Sequence, residues 1–283
     1  MKTSVLITVY NRPEMTIAGL RALALNTVKI DEAVISDDGS EEQCVRKIQS
    51  IFNELPFPVR YVRQEHSGYR LAAARNNAIR AATGDYLVSI DCDILLLPDA
   101  IAAHLQNARR GLFLAGNRAM IDEVNTSYAV NQKISVRFLD SLWEAADKKD
   151  MMRMHSRFQR NLWLRRVGLA APHKPKILGC HFSLFREDIK RVNGFDEKFT
   201  GWGLEDDDFA RRLYKAGMRG RSVILEARAL HLWHPPVGSK PQSISASPNM
   251  AYFKRADVPA RCIEGLIKPA EHPNQDVSHK ISA

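Results

Sequence analysis

The sequence predicts an α/β protein, Rossmann-like, with a mostly parallel sheet flanked by helices and a smaller C-terminal part. Three observations carry that reading. Short β-rich runs alternate with helical stretches through the first half of the chain. Polar clusters follow directly on the ends of three expected strands. The chain has 283 residues, 45% of them apolar and 26% charged, which suits one large domain of ordinary globular composition.

Ser4 to Val9 reads as the first strand, interrupted at once by Asn11-Arg12-Pro13, and Met15 to Asn26 as a helix. Glu32 to Ser36 is a second strand, ended by the turn Asp37-Asp38-Gly39-Ser40. Glu41 to Phe52 is helical and Val59 to Arg63 a third strand. An Ala-rich helix over Leu71 to Ala82 is closed by Gly84. Asp85 to Ile90 forms a fourth strand that runs into Asp91-Cys92-Asp93. Pro98 opens another helix, and Gly111 to Ala115 is a fifth strand. Beyond about residue 117 the pattern is irregular, with one further strand expected over Ser222 to Leu230. The organisation is therefore a regular half, 1–116, an irregular half of the same domain, 117–236, and an extension, 237–283. Pro, Ser, Lys and Asn dominate that extension, which is expected to be loosely packed.

Forty-one Lys and Arg against 32 Asp and Glu leave a net charge of +9, unevenly spread. From Met151 to Arg186 there are eight Lys/Arg and no acid, interleaved with residues such as Met152, Phe158, Trp163 and Val167. This mixture suits an anionic membrane surface or a lipid-linked acceptor. It equally suits a solvated helix whose arginines pair with acids elsewhere, and both readings stay open. No helix-turn-helix, zinc-finger or RNP pattern accompanies the charge, so nucleic acid is not an expected partner. No apolar run approaches a membrane span, and the first strand is too short a block for a signal peptide. Cys44, Cys92, Cys180 and Cys262 are isolated, which argues against a zinc site or disulfide framework and for a reducing cytoplasm.

In open parallel sheets, ligands bind beyond the carboxyl ends of the strands. Thr8-Val9-Tyr10-Asn11, Asp37-Asp38-Gly39-Ser40 and Asp91-Cys92-Asp93 all fall there. Side chains alternate along an extended backbone, so Asp91 and Asp93 face one way and Cys92 the other. Two hard oxygen ligands on one side suit Mg²⁺ or Mn²⁺ bridging a diphosphate. His231 and His234 flank Leu232-Trp233 downstream, and imidazole beside carboxylate fits Mn²⁺ better.

The most informative stretch is Gly201-Trp202-Gly203-Leu204-Glu205-Asp206-Asp207-Asp208. Two glycines bracket an indole, and four acids open a helix that ends near Gly217. Acids favour helix N-termini in any case. On a helical wheel, however, Asp206 lies in line with Phe209, Ala210 and Leu213, the apolar stripe. Asp207 and Asp208 point away, each with an arginine four residues on, Arg211 and Arg212, as on a solvated face. An acid aimed at an apolar layer beside Trp202 looks like a general base next to a sugar-binding surface.

Ser4 to Asn11, Asp37-Asp38-Gly39-Ser40, Ala74-Arg75-Asn76-Asn77-Ala78-Ile79 and Asp91-Cys92-Asp93 together resemble glycosyltransferase family 2 with the GT-A fold. Asn193-Gly194-Phe195-Asp196-Glu197 through Asp208 resembles the C-terminal module of animal β-galactosyltransferases and bacterial chondroitin-type polymerases. The resemblance covers roughly 1–236 and makes 1–116 the nucleotide-sugar half and 117–236 the acceptor-binding half. It implies inverting, metal-dependent transfer from a UDP-sugar. By position, Asp38 would meet the uracil, with Thr8, Tyr10 and Arg75 near the nucleoside and Asp91 near the ribose or donor sugar. Asp93 would ligate the metal, with His234 the first candidate partner and His231 the second. Trp202 and Gly203 would line the acceptor site, Glu205 and Asp207 would bind sugar hydroxyls, and Asp206 would take the acceptor proton. The animal enzymes carry glycine where this chain has Leu204, which leaves the identity of the sugars open.

The expected setting is bacterial lipopolysaccharide or capsule synthesis in the cytoplasm, peripheral on the inner face of the membrane. The acceptor would be a saccharide or a lipid-linked saccharide. Two other readings compete. One is a non-catalytic nucleotide-sugar-binding protein, against which the intact acids argue. The other is a sugar-phosphate nucleotidyltransferase, whose Gly-rich phosphate loop Thr8-Val9-Tyr10-Asn11-Arg12-Pro13 does not resemble.

Overall fold

The computed structural model describes residues 1–236 and 241–269. Its elements are β1 (Thr3–Val9), α1 (Pro13–Leu23), β2 (Glu32–Asp37), α2 (Glu42–Gln49), β3 (Val59–Arg63), α3 (Leu71–Ala81) and β4 (Tyr86–Asp91). Next come β5 (Ile94–Leu96), α4 (Ala100–Asn107), β6 (Leu112–Ala115), β7 (Ala119–Met120), α5 (Glu123–Asn131), α6 (Val136–Ala145) and α7 (Lys149–Arg166). The chain continues through β8 (His181–Phe185), α8 (Arg186–Arg191), α9 (Glu205–Lys215), β9 (Arg219–Ser222), β10 (Ala229–His231) and α10 (Met250–Phe253).

A seven-stranded sheet has the order β3-β2-β1-β4-β8-β6-β9. The first four strands are parallel, β8 runs antiparallel between β4 and β6, and β9 is parallel to β6. β1 is buried along its whole length because helices cover both faces, so its apolar residues Val5, Leu6 and Ile7 run together without the alternation of a half-exposed strand. The register sets Thr8 opposite Asp91 and Val9 opposite Asp37, which brings the three polar strand ends onto one rim.

A second, three-stranded sheet, β5-β10-β7, begins where the chain leaves Asp93. β10 pairs antiparallel with β5, His231 opposite Ile94, and the Leu232 N–H donates to the Asp93 carbonyl at 2.9 Å. This pairing carries His231 and His234 back to the rim.

Three expectations about local structure change. The single strand expected over Ser222 to Leu230 is two strands in two sheets. Buried Val223, Ile224 and Ala227 form the corner between them, which kept the run apolar. The irregular region after 117 contains α5, α6 and α7, the first two capped by Asp122 and Ser135 side chains. The described part of the extension, 241–269, is packed rather than loose. Asn193 Nδ2 donates to the carbonyls of Cys262 and Ile267, and the Glu197 N–H to the Glu264 carbonyl. Val258 and Cys262 are buried. Polar composition concealed an anchorage made through backbone carbonyls. Residues 237–240 and 270–283 lie outside the described part.

Candidate active site

Every residue to which the family resemblance gives a role lines one cleft of about 810 Å³. The rim of β1, β2 and β4 forms one wall, and the start of α9 with the Gly201–Gly203 turn forms the opposite one.

On the sheet side, Tyr10 stacks on His66 with ring centroids 4.5 Å apart and planes 10° from parallel. Asp38 accepts from Gln64 Nε2 and, at 3.1 Å, from the Arg70 N–H. Its neighbour Asp37 is wholly buried and serves the turn, taking hydrogen bonds from Ser40 and from the Tyr61 hydroxyl at 2.6 Å. Gly39, at φ +85°, completes that turn where a Cβ would overlap His66. Asp91 and Asp93 both face the cleft, while Cys92 is buried in the core, as strand alternation demands.

Asp93, His231 and His234 bring ligand atoms within 4.8 Å of one another. His234 Nε2 lies 3.2 Å and His231 Nε2 3.7 Å from the Asp93 carboxylate. Burial would raise the Asp93 carboxyl, but His234's hydrogen bond and the Arg12 guanidinium help hold it below its ordinary value. Burial lowers His231 to about 4, leaving it neutral with a lone pair to give. Asp93 Oδ1 and His231 Nδ1 are buried with no hydrogen-bond partner among the described residues. A compact carboxylate–imidazole cluster with unused lone pairs fits a divalent cation. Arg12, which sequence reasoning passed over, donates to Asp93 Oδ2 at 2.8 Å and lies 3.0 Å from His234 Nδ1. Its signal was its place in the loop just after β1.

On the opposite wall, Asp206 projects from the first turn of α9. Its Oδ1 accepts from Arg75 Nη1 at 2.8 Å and its Oδ2 from the Gly179 N–H at 2.9 Å. Arg75 also reaches Glu205 at 3.3 Å and Asp91 at 3.5 Å. One buried guanidinium thus ties the carboxyl end of β4 to the start of α9. Arg75 was expected near the nucleoside, yet its charge is taken up by these three acids. Burial, then the neighbouring Asp206 charge, pushes Glu205 up to about 7, and its Oε2 has no hydrogen-bond partner among the described residues. Burial likewise raises Asp91. Gly179 was not singled out either. A Cβ there would overlap the Arg75 guanidinium and the Asp206 carboxylate, so only glycine lets the backbone approach.

The wheel placed Phe209, Ala210 and Leu213 correctly, since all are buried. It misplaced two of the acids. Asp208 is fully buried, bound by Arg212 at 2.6 Å and by Arg255 at 3.0 Å. Asp207 is buried against Lys174 at 3.1 Å and Lys176, which keep its carboxyl low although burial alone would raise it. Both were expected on a solvated face. The covering partners, Lys174, Lys176 and Arg255, come from distant segments, so no pattern within α9 announces them. Trp202 lies on the turn that precedes α9, and its carbonyl accepts from Ser247 Oγ at 2.8 Å. Leu204 adopts φ +76°, a left-handed conformation uncommon for a bulky side chain.

The model of glycosyl transferase family 2 matches residues 4–190. This chain belongs to glycosyltransferase family 2. A second model, described as the N-terminal domain of galactosyltransferase, matches residues 170–235. The chain is 29% identical over 237 residues to a chondroitin synthase of Escherichia coli, covering 78% of this chain and 33% of the relative. It is 30% identical over 237 residues to a validoxylamine A glucosyltransferase of Streptomyces hygroscopicus subsp. jinggangensis, covering 76% and 52%. The chain therefore spans from a third to about half of the length of these relatives.

Among solved structures it is similar to a mannosyltransferase from Pyrobaculum calidifontis in complex with GDP-Man and Mn²⁺. The TM-score is 0.54 and the identity 20%, covering 84% of this chain and 58% of that one. GalNAc-T7 with UDP, GalNAc and Mn²⁺ gives a TM-score of 0.57 at 15% identity, covering 83% and 44%. These likenesses establish the GT-A fold.

Proposed function

We propose that the protein transfers a hexose or N-acetylhexosamine from a UDP-sugar to a saccharide acceptor, with inversion, in bacterial surface-polysaccharide synthesis. One observation carries the reading. The Asp93–His231–His234 cluster and the Asp206 carboxylate line the same cleft, joined by Arg75 and Asp91.

Thr8, Tyr10 and Asp38 bind the nucleoside and Asp91 the donor sugar. Asp93, His231 and His234 would hold Mn²⁺ or Mg²⁺, and a cation there would supply Lewis-acid stabilisation of a departing diphosphate. Trp202 and Gly203 offer the acceptor sugar a face. An alcohol is too weak an acid to be ionised beforehand, so Asp206 accepts its proton as the new bond forms, an effect of roughly 10²–10⁴ in rate. The acceptor oxygen bonds to the anomeric carbon, the bond to the β-phosphate oxygen breaks, and UDP leaves with the electron pair. One displacement converts an α-linked donor to a β-glycoside. Arg75 and the Gly179 N–H hold Asp206 in position.

Among the described residues no helix is long and apolar enough to cross a membrane. The exposed Met152, Trp163, Val167 and Leu169, interleaved with Arg160 and Arg166, support peripheral contact with an anionic leaflet. Release of UDP from UDP-Gal, UDP-GalNAc, UDP-Glc or UDP-GlcNAc tests the activity. Pyrophosphate as product would point to a nucleotidyltransferase instead, and UDP binding without turnover of any donor to a non-catalytic role. Salt-sensitive co-sedimentation with anionic vesicles tests the surface.

A further inference from the structure

A second cavity, of about 390 Å³, lies beside the catalytic cleft and belongs to none of the chemistry described so far. Met154 and Phe158 of α7 form one wall, and Pro175 and Leu178 another. Ile244, Met250 and Phe253 close the top. The closing residues fall outside both family matches, which end at residues 190 and 235. Lys176, Leu178, Leu204, Asp207 and Ile244 line both this cavity and the cleft, so the two spaces are neighbours across one row of side chains.

The interior is apolar and the edge is cationic. Arg157, Lys174 and Lys176 face a single carboxylate, Asp207. Arg157 has no ion pair among the described residues. His173 adds no charge at neutral pH, since burial and then the adjacent Lys174 lower it to about 4. An apolar hole with surplus positive charge at its rim matches an amphiphile bearing an anionic head.

We propose that this cavity is an aglycone subsite that takes an apolar tail joined to the acceptor sugar through a phosphate. The acceptor class is then a phospholipid-type glycoside, with its sugar in the cleft, its phosphate at Arg157, Lys174 and Lys176, and the first carbons of its tail between α7 and Ile244. The assignment rests on the transferase reading above for the placement of the sugar, but the cavity and its rim are read from the structure alone.

Binding of butyl, hexyl, octyl and decyl phosphate to the full chain, below their micelle concentrations, tests it by calorimetry. Affinity should rise up to about fourfold per added methylene, the factor expected for burying each one. Decanol and inorganic phosphate should each bind far more weakly than decyl phosphate. Met154→Trp, or Met250→Trp from the opposite side, should flatten the series while UDP binding is kept, which also certifies folding. Arg157→Gln should weaken every member of the series and leave its slope.

A flat series, decanol or inorganic phosphate matching decyl phosphate, or a slope unchanged in both tryptophan variants would overturn the proposal. The last result is the one adsorption to the exposed α7 surface would give. UDP binding by the unaltered chain is read separately, so failure of the donor reading and failure of the subsite are distinguishable.

Discussion

Arg75 and Asp206 stand 131 positions apart in the chain and 2.8 Å apart in the fold. The same guanidinium reaches Asp91 and Glu205, so three carboxylates share one buried cation. Removing the cation leaves buried acids uncompensated, which typically costs about 3–5 kcal/mol. Arg75→Met is expected to lower the unfolding free energy by that order in denaturant titration. Asp206→Asn keeps the shape and much of the hydrogen bonding. It should retain UDP binding and lose transfer by roughly 10²–10⁴. Near-normal turnover by Asp206→Asn would remove it from the role of base.

Gly179 offers a subtler perturbation. The methyl of Gly179→Ala would overlap both members of the Arg75–Asp206 pair. A displacement of about 1 Å at a catalytic group can cost on the order of 10²-fold. The expected result is a fall in kcat with UDP affinity unchanged, measured by steady-state kinetics and calorimetry.

Glu205 should make stability depend on pH. Its carboxyl, pushed up to about 7 by burial and by Asp206, holds a proton more tightly folded than unfolded. Its contribution is therefore full below its ordinary value of 4.5 and is lost as pH rises through about 7, a difference of at most about 3 kcal/mol. Melting temperature should decline over this window in the unaltered protein and decline less in Glu205→Gln. Parallel declines would mean that Glu205 is not the titrating group.

The Asp93–His231–His234 cluster predicts a metal titration. Mn²⁺ binding measured by calorimetry should vanish in Asp93→Ala and weaken in His231→Ala and His234→Ala. Binding unchanged in all three variants would place the ion elsewhere.

Asp208 predicts a purely structural penalty. Asp208→Ala leaves Arg212, wholly buried, without its carboxylate, at a cost of about 3–5 kcal/mol. The folded fraction that remains should bind UDP normally.

The parallel sheet was legible because β1, β2 and β4 are buried on both faces and end in polar clusters, so composition and position agree. That Asp93, His231 and Asp206 share one cleft was legible from their places just past β4, at the end of β10 and in the first turn of α9. Partnership was not legible. Asp207 and Asp208 look solvated from the periodicity of α9, and only Lys174, Lys176 and Arg255, folded over it from elsewhere, reverse that. Arg75 could not be assigned to acids more than a hundred positions away. The corner at Val223 and Ile224 stays apolar through a change of sheet, which hides the break between β9 and β10.

The hydrogen bonds from Ser247 to the Trp202 carbonyl and from Asn249 to the Gly203 carbonyl extend beyond packing. They brace the turn that carries Trp202, the proposed acceptor platform, from a segment that neither family model matches. On the proposed acceptor role of Trp202, exchange of that brace would alter acceptor preference while the acids and imidazoles across the cleft stay untouched.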